Sequence, residues 1–292
     1  MEVSLITGAS SGIGEAFAHR LASEKHNLLL IARNEEKLST LCKDLIQKYN
    51  IKAQYIAIDL SKPDTTKIVF EETEKRNLQV NWLINNAGTG TAGNFTKLNL
   101  QEELNIIQLN ISSLVALTHN YLQKMKERNS GAVINVGSVA SFQPVPFQAT
   151  YAASKAFVKS FTEALVAENS HFKIKIMLLC PGLTETKFYR NMTADDKSTL
   201  SRGFKFQTPD MVVDEAMKGI AKNKKQVVSG FKNRMLIRTS YLFPNSLIAK
   251  IAAKNSAPIF SKYLLKNGSK RKRILIDKFY FRTASIIEIV TA

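Results

Sequence analysis

The sequence predicts an α/β protein: one domain on a doubly wound parallel sheet, followed by a basic, amphipathic C-terminal extension. Three observations carry that expectation. The β-rich run Val3-Ser4-Leu5-Ile6-Thr7 leads directly into the glycine-rich turn Gly8-Ala9-Ser10-Ser11-Gly12-Ile13-Gly14, then into a segment with Ile13, Phe17 and Leu21 at helical spacing. Further apolar strands, as far as residue 180, alternate with helical segments, the pattern of a parallel sheet covered on both faces. The charge then changes. From Lys222 onwards the chain holds 16 of its 41 Lys and Arg but only two of its 24 Asp and Glu.

At 292 residues the chain is long enough for one large domain or two small ones. It is 45% hydrophobic and 22% charged, which excludes a disordered chain. Cys42 and Cys180 lie far apart in apolar-periodic segments, so buried thiols are expected and no disulfide framework. The four histidines show no ligand spacing, and no metal is expected. No run of about 18 apolar residues is present. The first strand begins at Val3, which leaves no room for a targeting segment. The expected location is the cytoplasm. A net charge of +17, concentrated near the C-terminus, adds an expected contact with a membrane surface. Nucleic-acid binding has no recognisable module behind it.

Strand, glycine turn and helix together present backbone N–H groups and a helix N-terminus to a phosphate. The spacing is G-x-x-x-G-x-G rather than the general G-x-G-x-x-G. Such a turn is often only a turn, but its place between first strand and first helix favours a nucleotide. The second strand, residues 27–32, ends at Arg33-Asn34. An acid there would hold a ribose 2′-hydroxyl, whereas arginine suits a 2′-phosphate, which points to NADP(H) over NAD(H). The plainer alternative is an arginine that opens the surface helix read over residues 34–49. A third strand, residues 52–58, precedes Asp59-Leu60 and a helix opened near Ser61, with Pro63 in its first turn. The fourth, residues 80–84, leads into Asn85-Asn86-Ala87-Gly88. Small and amide side chains at a strand's carboxyl end fit the crevice where open α/β sheets bind ligands.

A long helical pattern over residues 99–127 follows. Asn110 sits among its apolar positions, a costly place for asparagine unless its amide is used. Strands over residues 132–136 and 174–180 end in Gly137-Ser138 and Pro181-Gly182. Between them, a proline-marked loop leads to Tyr151-Ala152-Ala153-Ser154-Lys155, at the head of a helix over residues 151–167. Positions i and i+4 share one helix face, so the phenol and the ammonium point the same way. A cation held nearby favours the phenolate and is expected to bring the phenol down from about 10 towards neutrality. That is the acid–base half of a carbonyl–alcohol interconversion. Alone, the spacing also occurs as a plain surface pair. Right-handed crossovers bring Gly8, Arg33, Asp59, Asn86, Ser138 and Pro181 to one edge of the sheet, which joins scattered motifs into one site.

Taken in order, Thr7-Gly8-x-x-x-Gly12-x-Gly14, Asp59, Asn85-Asn86-Ala87-Gly88, Asn110, Ser138, Tyr151-x-x-x-Lys155 and Pro181-Gly182 resemble the short-chain dehydrogenase/reductase family. The resemblance covers roughly residues 3–230, with no departure at a catalytic position. It implies a Rossmann-type fold over residues 1–230 and NADP(H)-dependent oxidoreductase activity. It also implies roles. Tyr151 would be the general acid in reduction and the base in oxidation, with Lys155 lowering its pKa and holding the nicotinamide ribose. Ser138 would hydrogen-bond the substrate oxygen, and Asn110 would break its helix and hold a water linking Lys155 to solvent. Gly8, Ser10, Ser11, Gly12, Ile13 and Gly14 would line the pyrophosphate. Asp59 and Leu60 would contact the adenine, and Asn86, Ala87 and Gly88 the adenosine side. Beside Pro181, the residues Gly182, Thr184 and Thr186 would hold the carboxamide.

The segment over residues 187–222 is read as covering the substrate. Its aromatic residues, Phe188, Tyr189, Phe204 and Phe206, suggest an apolar or acyl-chain-like carbonyl compound, though a packing loop reads the same way. Residues 226–229 resemble the family's seventh strand. In the extension, residues 231–292, apolar Leu247, Ile248 and Ile251 lie opposite Lys250 and Lys254, ahead of Lys270-Arg271-Lys272-Arg273. An apolar stripe with a basic face is a membrane-surface pattern; a helix packed on the domain with a solvated basic face is the alternative. The long helices leave room for a homo-oligomer. A rival to the oxidoreductase is a non-catalytic NADP-binding sensor or scaffold of the same fold. The four residues Ser138, Tyr151, Lys155 and Asn110 speak against it, since a sensor has no need of them all.

Overall fold

A computed structural model describes residues 1–186, 206–250 and 252–253. Seven parallel strands form one sheet: β1 (Glu2–Thr7), β2 (Leu28–Ala32), β3 (Ala53–Ala57), β4 (Gln79–Asn85), β5 (Gly131–Val136), β6 (Ile174–Cys180) and β7 (Gln226–Val228). Their order is β3-β2-β1-β4-β5-β6-β7. The chain winds outward from β1 in one direction and from β4 in the other, so the topological switch lies between them.

Alternate residues of these strands face two separate cores. Ile6, Leu28, Leu30, Ile134 and Met177 pack under α1 (Gly12–Ser23) and α2 (Glu35–Tyr49). Leu5, Leu29, Ile31, Val133 and Ile176 face α3 (Thr65–Lys75) and a later helix over residues 113–128. Burial on both faces is why the strands read as continuous apolar runs rather than as an alternation.

The long helical pattern over residues 99–127 is not one helix. It divides into α4 (Leu100–Ile107), a wide π-turn (Gln108–Ser112) and α5 (Ser113–Arg128). Helix α6 (Ala149–Glu168) carries Tyr151 and Lys155 in its first two turns. Pro63 does not lie in a first helical turn: α3 begins at Thr65, after Asp64 has taken a left-handed conformation with φ of 59°. Helix α7 (Pro209–Ala221) is capped by Thr208, whose hydroxyl accepts from Met211 N–H, and it completes the layer beside α1. A further helix, α8 (Phe231–Ser240), packs back onto the body through buried Ile237.

A buried polar ladder ties α6 to the sheet. Asn85 Nδ2 donates to Thr118 Oγ1 and to Asn135 Oδ1, both at 2.9 Å, and Asn135 Nδ2 donates to Thr162 Oγ1 at 3.0 Å. Paired amides in a low-dielectric interior hold β4, β5, α5 and α6 in a single register.

Candidate active site

The site begins at the switch point. Thr7 Oγ1 accepts from the backbone N–H groups of Asn86 (3.0 Å) and Ala87 (2.9 Å), and Asn86 Nδ2 donates back to Thr7 O at 2.9 Å. These bonds clamp the loop after β4 onto the glycine turn. The clamp leaves no room for a side chain. Gly8 has φ of +66°, and a Cβ there would stand 2.9 Å from Ala87 Cα. A Cβ on Gly14 would stand 2.3 Å from Gly8 O.

Above the clamp lies a cleft of about 590 Å³, running from Arg33 across the glycine turn to Ser138, Tyr151 and Lys155. Of the cofactor-side residues expected from the sequence, all but Gly14 line it; Gly14 instead seats α1 against the turn. The N-terminus of α1 opens on this cleft through Ser11, Gly12 and Ile13, and no side chain caps it. Unused helix N–H groups beside a side-chain-free turn suit a pyrophosphate. A dinucleotide therefore fits the residues present.

At the Arg33 end, Asn34 and Lys37 also line the cleft, and neither was singled out from the sequence. Asn34 caps α2, its Oδ1 accepting from Lys37 N–H at 2.8 Å, so the cap itself fixes the first turn beside Arg33. The spacing of Arg33 and Lys37 was the available signal. Asp59 sits nearby. Burial pushes its carboxyl up, but hydrogen bonds from Ser61 N–H (3.0 Å) and Ser61 Oγ (2.7 Å), with Arg33 and Lys62 close, leave it below the usual value.

At the other end, Ser138 starts a short 3₁₀ turn, Val139–Phe142, with its Oγ accepting from Ala140 N–H at 3.1 Å. Lys155 is buried and donates to Val136 O at 2.8 Å. Its Nζ lies 6.0 Å from the centre of the Tyr151 ring. The expected lowering of the Tyr151 pKa is not found. Burial raises it, Cys180 adds to the rise, and only a hydrogen bond with Ser138 opposes them. The same burial lowers Lys155 to about 8. Lys155, held on Val136 O with its Nζ 6.0 Å from the ring centre, does not offset that rise.

Asn110 does not line the cleft; it sits behind it, in the π-turn. Its Oδ1 accepts from Thr89 N–H (3.0 Å), while Nδ2 donates to Thr89 O (2.9 Å) and Ser154 Oγ (3.0 Å). Ser154 Oγ donates in turn to Tyr151 O at 2.7 Å. Asn110 thus joins the loop after β4 to the first turn of α6. Ser154, Thr89 and Leu109 are further parts of this arrangement that sequence spacing did not mark. Of the expected substrate cover, residues 187–222, the part over 187–205 lies outside the described residues, and Pro209–Ala221 is helix α7; Thr184 and Thr186 at its root line the cleft. Among the described residues, no group of three or more His, Cys, Asp and Glu is placed to hold a metal.

Comparison with known proteins agrees with this geometry. A family model described as short chain dehydrogenase matches residues 2–197. The 7beta-hydroxysteroid dehydrogenase of Mediterraneibacter gnavus is 30% identical over 233 residues, 80% of this chain and 88% of that protein. The human protein named inactive hydroxysteroid dehydrogenase-like protein 1 is 34% identical over 184 residues, 62% of this chain and 56% of its own. Among solved structures, a short-chain dehydrogenase from Sphingobium yanoikuyae in complex with NADPH superposes with a TM-score of 0.71 at 28% identity, covering 78% of this chain and 87% of the other. Sheet order, glycine turn and the match over two thirds of the sequence agree: the chain belongs to the short-chain dehydrogenase family.

Proposed function

We propose that the chain interconverts a carbonyl and a secondary alcohol by hydride transfer with NADP(H), using Tyr151 as proton donor in reduction. The observation that carries this reading is the cleft itself. It has cations at one end, Arg33 and Lys37, and a phenol, a hydroxyl and a buried ammonium at the other. The nicotinamide supplies or accepts the hydride when bound. In reduction, negative charge grows on the substrate oxygen. Ser138 Oγ–H and Tyr151 O–H stabilise that charge, and the Tyr151 proton passes to the oxygen. A Tyr151 pKa raised by burial keeps the phenol protonated, as an acid needs. Lys155 serves by positioning and by its positive charge.

The apolar and aromatic residues over 187–206 support an apolar or acyl-chain-like substrate, as does a relative named for a hydroxysteroid. A non-catalytic nucleotide-binding protein is the second reading, favoured by the 34% identity to a human protein named inactive. Oxidation of NADPH and NADH by the purified protein over ketones and aldehydes graded by chain length separates the two. Turnover with NADPH, strongest for apolar carbonyls, supports the enzyme; NADPH binding without turnover across the panel supports the sensor.

Exposed Leu100, Leu104 and Ile107 on α4, with Phe157 on α6, support a homo-oligomer. Among the described residues no helix is long and apolar enough to cross a membrane. A cytoplasmic location with surface contact to a membrane through residues 231–292 is consistent with their basic charge. Residues 254–292 of that extension lie outside the described residues.

A further inference from the structure

Helix α8 buries Ile237 but leaves its other large apolar residues, Phe231, Met235 and Leu236, exposed. Two of its polar residues face the body: Asn233 Nδ2 donates to Ser229 O at 2.6 Å, and Arg234 Nη1 reaches Glu215 Oε2 at 2.7 Å and Val228 O at 3.0 Å. Outward it presents Phe231, 69% exposed, with Met235 and Leu236, and the following turn adds Tyr241 and Leu242, the latter 77% exposed. Surface helices of soluble domains normally turn most of their large apolar residues to the core. Exposed Lys232 and Arg238 lie on the same helix among these apolar residues. No Asp or Glu occurs between Glu215 and Asp277, a stretch that holds fifteen Lys and Arg.

The patch adjoins the cleft. Asn233 lies against Gly182, where a Cβ would stand 2.2 Å from its Nδ2, and Gly182 lines the cleft. The Tyr241 ring meets Phe142 edge-on, with centroids 6.5 Å apart, and Phe142 ends the turn that Ser138 begins.

We propose that the outward face of α8 and its following turn rest on an anionic lipid bilayer, placing the Ser138–Tyr151 end of the cleft at the lipid surface. Bulky apolar and aromatic side chains among bases, with no acids, match that surface in both chemistry and charge. A second copy fits poorly, since a two-fold interface would set this basic patch against itself. Residues 254–292 hold nine Lys and Arg against two acids, so a cover by them would set like charge against like. The proposal rests on the membrane contact suggested above and narrows it to a folded element. It gives an apolar carbonyl compound a route from the bilayer to the cleft.

Flotation of the full-length protein with phosphatidylcholine vesicles, with and without phosphatidylglycerol, tests it. Recovery should be about tenfold higher on the anionic vesicles. The triple variant Phe231→Ser/Leu236→Ser/Leu242→Ser should lose about tenfold of that recovery while keeping its thermal shift with NADPH. In a Trp82→Phe background, Leu242→Trp should shift its emission to the blue on adding anionic vesicles and be quenched by brominated lipid. Equal recovery of triple variant and wild type overturns the α8 assignment and leaves contact by the basic tail standing. Absence of flotation for both overturns both. Indole emission from the Leu242→Trp variant that vesicles leave unchanged, a change of oligomeric state alone in the triple variant, or binding to RNA but not to vesicles also overturns it. None of these outcomes bears on turnover with NADPH, which judges the oxidoreductase reading separately.

Discussion

Lys155 keeps its ammonium on Val136 O in a buried position, and this has a signature in pH. A lysine in the unfolded chain titrates near 10.5, and Lys155 in the folded protein near 8. Between these values the unfolded chain holds the extra proton, so folding stability rises with pH across that window. Below it the cost of burying the charge is fully present. Lys155→Met removes the slope. Without cofactor, the wild type should gain in Tm relative to this variant between about pH 7.5 and about pH 10. Parallel curves in differential scanning fluorimetry would contradict a buried ammonium. Tyr151→Phe should keep the fold and NADPH affinity and lose at least about a hundredfold in kcat. More than about a tenth of wild-type activity in that variant would remove Tyr151 as the proton donor. At the far end of the cleft, Arg33→Ala should raise KM for NADPH at least about tenfold and leave NADH nearly unchanged, with Lys37→Ala a weaker copy. Equal effects on both cofactors would place the two cations away from a 2′-phosphate.

Among the elements, the π-turn at Gln108–Ser112 marks where sequence periodicity stops being informative. Apolar residues recur at helical spacing on both sides of it, so residues 99–127 read as a single helix. The break depends on where the Asn110 amide goes, and its partners, Thr89 and Ser154, are 21 and 44 residues away. Asn110→Ala strands Thr89 N–H and C=O and should cost about 1–3 kcal/mol for each group left unpaired. A urea titration measures that loss; a change below about 0.5 kcal/mol would contradict the bonding described here. The glycine turn was legible because a strand running into closely spaced glycines and then an amphipathic helix is a local pattern. The contact that forbids a side chain at Gly14, with Gly8 O, is equally local. Pro63 misled because a proline suits both a helix's first turn and the turn before it, and left-handed Asp64 decided for the second.

For the whole molecule, the switch between β1 and β4 gathers residues from distant parts of the chain around one cleft, and filling that cleft should be visible as stability. NADPH at about a hundred times its Kd adds about 2.7 kcal/mol, and for a chain of this size about 2–4 °C in Tm per kcal/mol. Tyr151→Phe should keep that shift, and Gly14→Ala, which forces α1 off the turn, should lose it. The sequence by itself determined the parallel α/β class, six strands to within a residue or two at each end, and the residues that would share one edge. Strands buried on both faces are written as apolar runs, and right-handed crossovers leave only a handful of ways to assemble them. Only the tertiary structure decided the protonation of Tyr151 and Lys155. Their i, i+4 spacing predicts a phenol brought towards neutrality, whereas burial by surrounding elements raises the phenol and lowers the amine. It likewise decided that α8 buries Ile237 and leaves Phe231, Met235 and Leu236 outward. Helical spacing shows that a stripe exists, but which side meets the body depends on Ser229, Glu215 and Val228 being there to receive Asn233 and Arg234.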